Sequence, residues 1–321
     1  MCNVAVVCGG SSLEAEVSRV TGRCVANGLR ETFSLVHQIE LDDEIVQKLK
    51  ELNIDVVFPA LHGSVGENGA FQGLLELVGI PYVGSGLLAC GLAMDKTMAK
   101  ELFFRAKLPL AKQVVLQKTE TDEQKLQEVI EELGADLVIK PASQGSALGV
   151  FFASSFDQLQ EAVNKAFSYD AKLLIEERIE GKEVTVGILE GAAEEVLPVI
   201  EIVTPKGEWY DYEHRYTEGM SEHIIPARLS KDQLSKAKSV ALQAHRLLGC
   251  RDLSRADFVV PDEGEPVLLE VNTLPGMTPT SLYPDAASAA GFSFSSLLAH
   301  LVKRALRRGK LAMKGSDIAI T

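Results

Sequence analysis

A chain of 321 residues, 46% hydrophobic and 24% charged, has the composition of an ordinary globular protein and the length for two or three domains. Its net charge of −13 argues against a nucleic-acid partner, because non-specific binding to a phosphate backbone rests on basic patches. No run approaches a membrane span, the N-terminus MCNVAVVCGGSS lacks the basic region of a signal peptide, and the five cysteines (2, 8, 24, 90, 250) contain no CxxC pair. A cytoplasmic protein with reduced thiols and no membrane partner is the expectation.

In the first ninety residues, short apolar strands alternate with amphipathic helices. Strands are expected at Val4–Cys8, Val56–Pro59 and Pro81–Val83, and helices at Leu13–Arg30 and Phe71–Val78. This rhythm implies an open parallel sheet over 1–93, with ligands gathering at the carboxyl ends of its strands. Gly9-Gly10-Ser11-Ser12 and His62-Gly63 fall at those ends. Ser11 and Glu14 match a capping box, although Glu14 also faces the sheet end, where an ammonium group could bind. His62 reads first as a structural histidine.

A helix is expected from near Asp95 to before Pro109, with Lys96 in its first turn, where a lysine opposes the helix dipole and hints at an anion. Strands from Val114, at Leu137–Lys140, Val150–Ala153 and Leu173–Glu177, and helices at Thr121–Leu133 and Phe156–Ala166, make 94–178 a compact α+β unit. Lys140 ends its strand and precedes PASQGSALGV, a Ser/Gly loop whose backbone amides could wrap phosphates. The P-loop pattern is absent, and an ordinary turn beside a snorkelling lysine reads equally well.

The remainder, 179–321, is strand-rich, with EVTVGIL and EVLPVIEI, a helix at Lys231–Leu248, a hairpin, and a helix at Phe294–Arg308. The last residues, from RRGKLAMKG on, are weakly patterned and read as a tail. Glu176 and Glu183 flank a polar turn, where carboxylates could meet an adenine amino group or a ribose, a solvated turn being the plainer reading. The hairpin pairs ADFVV with VLLEV across PDEGEP. With Val260 opposite Val267, Asp257 faces Glu270 and Arg255 faces Asn272, all four on one side. Two carboxylates opposed on a ladder repel each other, so an oxygen cluster for Mg²⁺ is a better account than chance, with neutralisation by Arg255 the alternative.

Together, GGSSLEAEVS, ALHGSVGENGAFQG, GIPYVGSG, MDK, GSALGV, YDYEHRYTEG, GCRDLSRADF and EVNTLPGMTPTSLYP resemble the D-alanine–D-alanine ligase family of the ATP-grasp superfamily, from Val4 to about Leu301. The resemblance implies an ATP-grasp fold of three parts: an N-terminal open parallel sheet, a central α+β domain, and a C-terminal mixed or antiparallel sheet. It implies a homodimer and two Mg²⁺ ions, or Mn²⁺, held by Asp257, Glu270 and Asn272. ATP would be met by Lys96, Lys140, Glu176, Ile179, Glu183, Trp209 and Arg215, the last replacing a usual lysine.

The reaction implied joins two D-alanines through an acyl phosphate, for peptidoglycan synthesis. Glu14 and His62 would serve the first substrate, Ser281 and Leu282 the second, and Arg255 with the Gly276 amide an oxyanion. Ser146 and Tyr216 would link to Glu14 and close the lid. Ala15, GSALG and Asn68 depart from common family patterns without touching these groups. Ligases adding D-serine or D-lactate, and a non-catalytic nucleotide-binding relative, are the alternatives; Tyr216 favours the dipeptide.

Overall fold

The structure, a computed structural model, describes residues 2–205, 209–217, 219–278 and 280–316, with all their side chains except those of 216 and 310–316. The N-terminal part runs β1 (Asn3–Cys8), α1 (Ala15–Arg30), β2 (Leu35–Glu40), α2 (Ile45–Glu51), β3 (Val56–Pro59), α3 (Ser64–Glu67), α4 (Ala70–Val78) and α5 (Leu87–Met94). The strands form a parallel sheet in the order β2-β1-β3. Pro81–Val83 contributes only a bridge, Val57 to Tyr82, where a strand was expected. Parallel strands buried on both faces read as unbroken apolar runs, which is why β1 and β3 were visible in sequence.

The chain continues through α6 (Lys96–Arg105), β4 (Gln113–Gln117), α7 (Glu123–Leu133), β5 (Leu137–Pro141), β6 (Phe151–Ala153), α8 (Phe156–Ala166) and β7 (Lys172–Glu177). The second sheet, β4-β7-β5-β6, is antiparallel and carries α7 and α8 on one face over its own apolar core.

Next come β8 (Lys182–Leu189), β9 (Ile200–Val203), α9 (Tyr212–Tyr216), β10 (Glu222–Ile224), α10 (Lys231–Leu247), β11 (Leu253–Val260), β12 (Val267–Asn272), α11 (Leu282–Ala289) and α12 (Phe294–Ser316). The third sheet, β10-β9-β8-β11-β12, is antiparallel throughout, which settles the mixed-or-antiparallel expectation. EVLPVIEI yields a strand only from Ile200, with Val196 left as a bridge. The tail reading fails as far as Ser316, because α12 continues through it; residues beyond lie outside the described set.

Burial crosses the sequence boundaries. Ala99 and Phe103 of α6 pack into the core of the third sheet with Val184, Ala241 and Phe258, while the second sheet keeps a separate core. One face of the first sheet shares a core with α11 and α12. A polar clamp reinforces that union. The fully buried Asp252 takes the Gly84 N–H at 2.9 Å and Arg308 Nη1 at 2.7 Å. The first and third sheets thus make one body, and the second sheet stands over it.

Candidate active site

The hairpin of β11 and β12 is the floor. Arg255 pairs with Asn272 and Asp257 with Glu270, as expected from setting Val260 opposite Val267, but the register gets there by another route. Val259, not Val260, faces Val267, and an irregularity between Asp257 and Phe258 absorbs the extra residue Leu269. A bulge of this kind re-aims side chains, and here it restores the four polar groups to one face. Arg255 donates to both oxygens of Asp257, at 2.8 and 2.7 Å, so the neutralisation the sequence offered as the alternative is present. Thr185 Oγ1 also donates to Asp257, at 2.6 Å.

Above this floor a cleft opens between the second and third sheets, and all seven residues expected at the nucleotide line it. Lys96 donates to the Gln144 carbonyl at 2.6 Å and pairs with Glu270 at 3.2 Å, joining the serine loop to β12. Burial alone would raise the Glu270 pKa, yet Lys96, Arg215 and Lys140 outweigh it and hold the carboxyl at about 2. Lys140 pairs with Glu176 at 2.6 Å, and Lys100 closes on the other oxygen of the same carboxylate. Burial pushes Glu183 up, and Arg215 opposes that shift. The Arg215 guanidinium lies 4.5 Å from the Tyr210 ring centre, and its buried Nε has no hydrogen-bond partner among the described residues. A buried cationic donor without an acceptor, beside two lysines, fits a polyanion. Trp209 meets Phe152 edge-on at 5.2 Å across the mouth of the cleft.

The cleft adjoins a second, smaller pocket lined by Glu14, His62, Ser146, Arg255, Gly276, Ser281 and Leu282. The capping box does not form: α1 begins after Glu14, and Ser12, not Ser11, accepts the Glu14 N–H at 3.3 Å. Glu14 is 4% exposed and takes a hydrogen bond from Ser146 Oγ, so two loops 132 residues apart in sequence meet over the pocket. Ser146 holds φ +49, a costly conformation for a residue with a Cβ, concentrated at the site. Gly63, with φ +77, lets Glu14 in, because a Cβ there would stand 2.7 Å from its Oε2. His62 Nε2 meets Thr21 Oγ1 at 2.9 Å, and burial, with Arg255 nearby, lowers the ring's pKa to about 4.

Beyond β12 the chain turns at Pro275-Gly276. A Cβ on Gly276 would come within 2.8 Å of Ser281 Oγ, the atom that accepts the Thr278 N–H at 2.9 Å. Ser281 precedes α11 and Leu282 begins it. Tyr216 closes α9, with its side chain outside the described set. Two groups escaped the sequence reading. Glu67 lines the pocket, where burial first, and then the charge of Glu14, raise its carboxyl to about 8. Lys100 is 1% exposed beneath the cleft. The HGSVGENG stretch was a signal for the first; nothing in the sequence marked the second.

Two antiparallel sheets closing on a lysine-lined cleft, with a carboxylate floor at its end, define an ATP-grasp protein. Models for the "D-ala D-ala ligase C-terminus" and "N-terminus" match residues 102–303 and 37–85. The chain is 44% identical over 307 residues to a D-alanine–D-alanine ligase of Pelotomaculum thermopropionicum, covering 94% of this chain and 96% of that one. A ligase of the same name from Halalkalibacterium halodurans is also 44% identical, over 95% of this chain and 99% of its own. The solved structure of a Bacillus anthracis D-alanine–D-alanine ligase complexed with ATP superposes with a TM-score of 0.83 at 32% identity, covering 97% and 100% of the two chains. The chain belongs to the D-alanine–D-alanine ligase family.

Proposed function

We propose that this chain is an ADP-forming ligase that joins two D-alanine molecules into D-alanyl-D-alanine, a peptidoglycan precursor, in the cytoplasm. The observation that carries this reading is the floor: Asp257 opposite Glu270 and Arg255 opposite Asn272, with Asp257 on the cationic cleft, Arg255 and Asn272 on the Glu14 pocket, and Glu270 lining both. ATP, seen in the Bacillus anthracis relative, is the substrate of the cleft. Lys96, Lys140 and Arg215 meet its phosphates, Glu176 and Ile179 the adenine edge, Glu183 the ribose, and Trp209 the pocket wall. Because Glu176 already holds two lysines, it offers adenine only what those bonds leave over.

The donor set fits Mg²⁺: two carboxylates, one held ionised, and an amide oxygen share a face, as a hard cation prefers. Asp257, Glu270 and Asn272 would hold it, or Mn²⁺; two such ions would neutralise charge building on the transferring phosphoryl group. Glu14 receives the ammonium of the first D-alanine, beside a His62 that stays neutral above about pH 4. The carboxylate of that substrate attacks the γ-phosphorus, ADP departs, and an acyl phosphate results. The amine of the second D-alanine, its carboxylate at Ser281 and the start of α11 at Leu282, attacks the carbonyl carbon. Arg255, through the nitrogen not bonded to Asp257, and the Gly276 amide meet the oxyanion before phosphate leaves. Ser146, bonded to Glu14, and Tyr216, by the family resemblance its partner in closing the lid, would exclude water from the acyl phosphate.

The test is phosphate release with ATP and D-alanine, set against D-serine and D-lactate as second substrates. D-alanine alone is expected to support full turnover. No ATP-dependent turnover with any of the three sinks the reading, and preference for D-serine or D-lactate reassigns the second site. No helix among the described residues is long and apolar enough to cross a membrane.

A homodimer through the N-terminal part is supported by Leu77 (88% exposed) on α4 and Leu88 (69%) on α5, apolar side chains bare on neighbouring helices. Light scattering is expected to report twice the 34.7 kDa chain mass, and Leu88→Glu to shift it toward monomer. A wild-type mass of one chain refutes the dimer.

A further inference from the structure

Lys100 stands on α6, four residues after Lys96, with 1% of its surface exposed. A lysine is rarely buried unless paired, and this one is paired twice. Its ammonium donates to Glu176 Oε1 on β7 and, at 3.4 Å, to the carbonyl of Leu268 on β12. The other oxygen of Glu176 holds Lys140 Nζ at 2.6 Å, and Lys140, unlike Lys100, borders the nucleotide cleft. Glu176 is itself 1% exposed. Burial would raise its pKa, but Lys100 and then Lys140 bring it to about 2, so the carboxylate stays charged.

The arrangement has an electrostatic consequence. With Glu176 and Lys140 alone the group is a neutral ion pair, and a neutral pair does little for a polyanion. Lys100 adds a charge from beneath, leaving one net positive charge on a triad whose only cleft-facing cation is Lys140. It also fixes the carboxylate from behind, so that Oε2 can hold Lys140 in one place. The Leu268 carbonyl lies two residues before Glu270, so the same ammonium ties the second sheet to the strand carrying the floor carboxylate.

We propose that Lys100 is a positioning residue for the nucleotide. It never touches ATP; it clamps Glu176 so that Lys140 is presented to the nucleotide with a full positive charge, and it registers the upper wall of the cleft against β12. This rests on the ligase reading above, and the experiment separates the two. Trp209 is the only tryptophan in the chain and lines the cleft, so its fluorescence reports nucleotide binding without turnover.

Lys100→Met keeps the length and loses the charge. The KM for ATP and the dissociation constant for a non-hydrolysable ATP analogue, read at Trp209, are both expected to rise about 10-fold or more. The KM for D-alanine is expected to stay within about 2-fold, a split that general loosening of the core would not produce. In Lys100→Met made on Glu176→Gln, the second change is expected to add little, because both act through one clamp. Unchanged ATP affinity in folded Lys100→Met overturns the proposal. Should that variant fail to fold, Glu176→Gln alone decides, since unchanged ATP affinity there removes the clamp's purpose. If the wild type binds the analogue but turns over no substrate, the ligase reading falls and the fluorescence titration still judges Lys100.

Discussion

Glu270→Gln is expected to leave a folded chain that binds nucleotide weakly and turns over no measurable substrate. The glutamate is held ionised at a pKa of about 2 by Lys96, Arg215 and Lys140, and it faces Asp257 directly across the hairpin. Glutamine keeps its shape and one oxygen but supplies no charge for a divalent cation, and the ion's stabilisation of the transferring phosphoryl group is worth several kcal/mol. A fall in kcat of about 10³ or more follows. Stability should fall as well, because a carboxyl whose pKa is depressed on folding contributes stability above its ordinary 4.5 that a glutamine does not supply. Lys96 loses a partner at 3.2 Å, a part-exposed pair of modest value, and easing the repulsion with Asp257, itself paired with Arg255, offsets only part of the loss. Steady-state kinetics at saturating Mg²⁺, beside a melting curve, checks both halves. An active variant refutes the metal assignment, and a melting temperature at or above that of the wild type refutes the account of Glu270 as a carboxylate held ionised by its cationic neighbours.

The floor was legible because its signal is local. A strand alternates faces with a period of two, so Asp257, Arg255, Glu270 and Asn272 could be placed on one side from spacing alone. Even there, the bulge at Leu269 was invisible, and the predicted residues met only because the irregularity falls between the turn and the site. β1 and β3 were legible as unbroken apolar runs, whereas β2, LVHQIE, mixes polar residues along a half-exposed edge strand and passed unread. Amphipathic helices announce that they have a buried face but not which core receives it, so α6 was grouped with the second sheet although it packs under the third. Lys100 was illegible for the same reason: on paper it is one of many helical lysines, and only the crossing of α6, β7 and β12 makes it a buried cation. Glu67 was passed over because its character comes from Glu14, which lies 53 positions away and reaches it only through the fold. Ser11 and Glu14 misled in the opposite sense. Their spacing satisfies a helix cap, but the helix starts later and Glu14 is drawn to Ser146.

That glutamate carries the second large effect. Glu14→Gln is expected to lower kcat/KM for the first D-alanine by about 10²-fold, since a charge-assisted bond to an ammonium becomes an ordinary one. The same substitution has a second readout that does not depend on turnover. Glu67 titrates near 8 in the free protein, raised first by burial and then by the negative charge of Glu14. Removing that charge should bring the Glu67 titration down toward, but not to, its ordinary 4.5, since burial remains. Carbon-13 NMR of the side-chain carboxyls, with Glu67→Gln to assign the signal, follows the shift directly.

The linkage has a definite sign. A carboxyl whose pKa is raised on folding holds its proton more tightly in the folded state, so its contribution is complete below about 4.5 and declines as pH rises to about 8. Glu67→Gln should therefore gain stability relative to the wild type between pH 5 and pH 8, and in Glu14→Gln this pH dependence should be compressed toward lower pH. If Glu67 titrates at an ordinary value in the wild type, the two carboxylates do not share one enclosed pocket. If it titrates near 8 and ignores Glu14→Gln, Glu14 points elsewhere and the ammonium site must be sought on other residues.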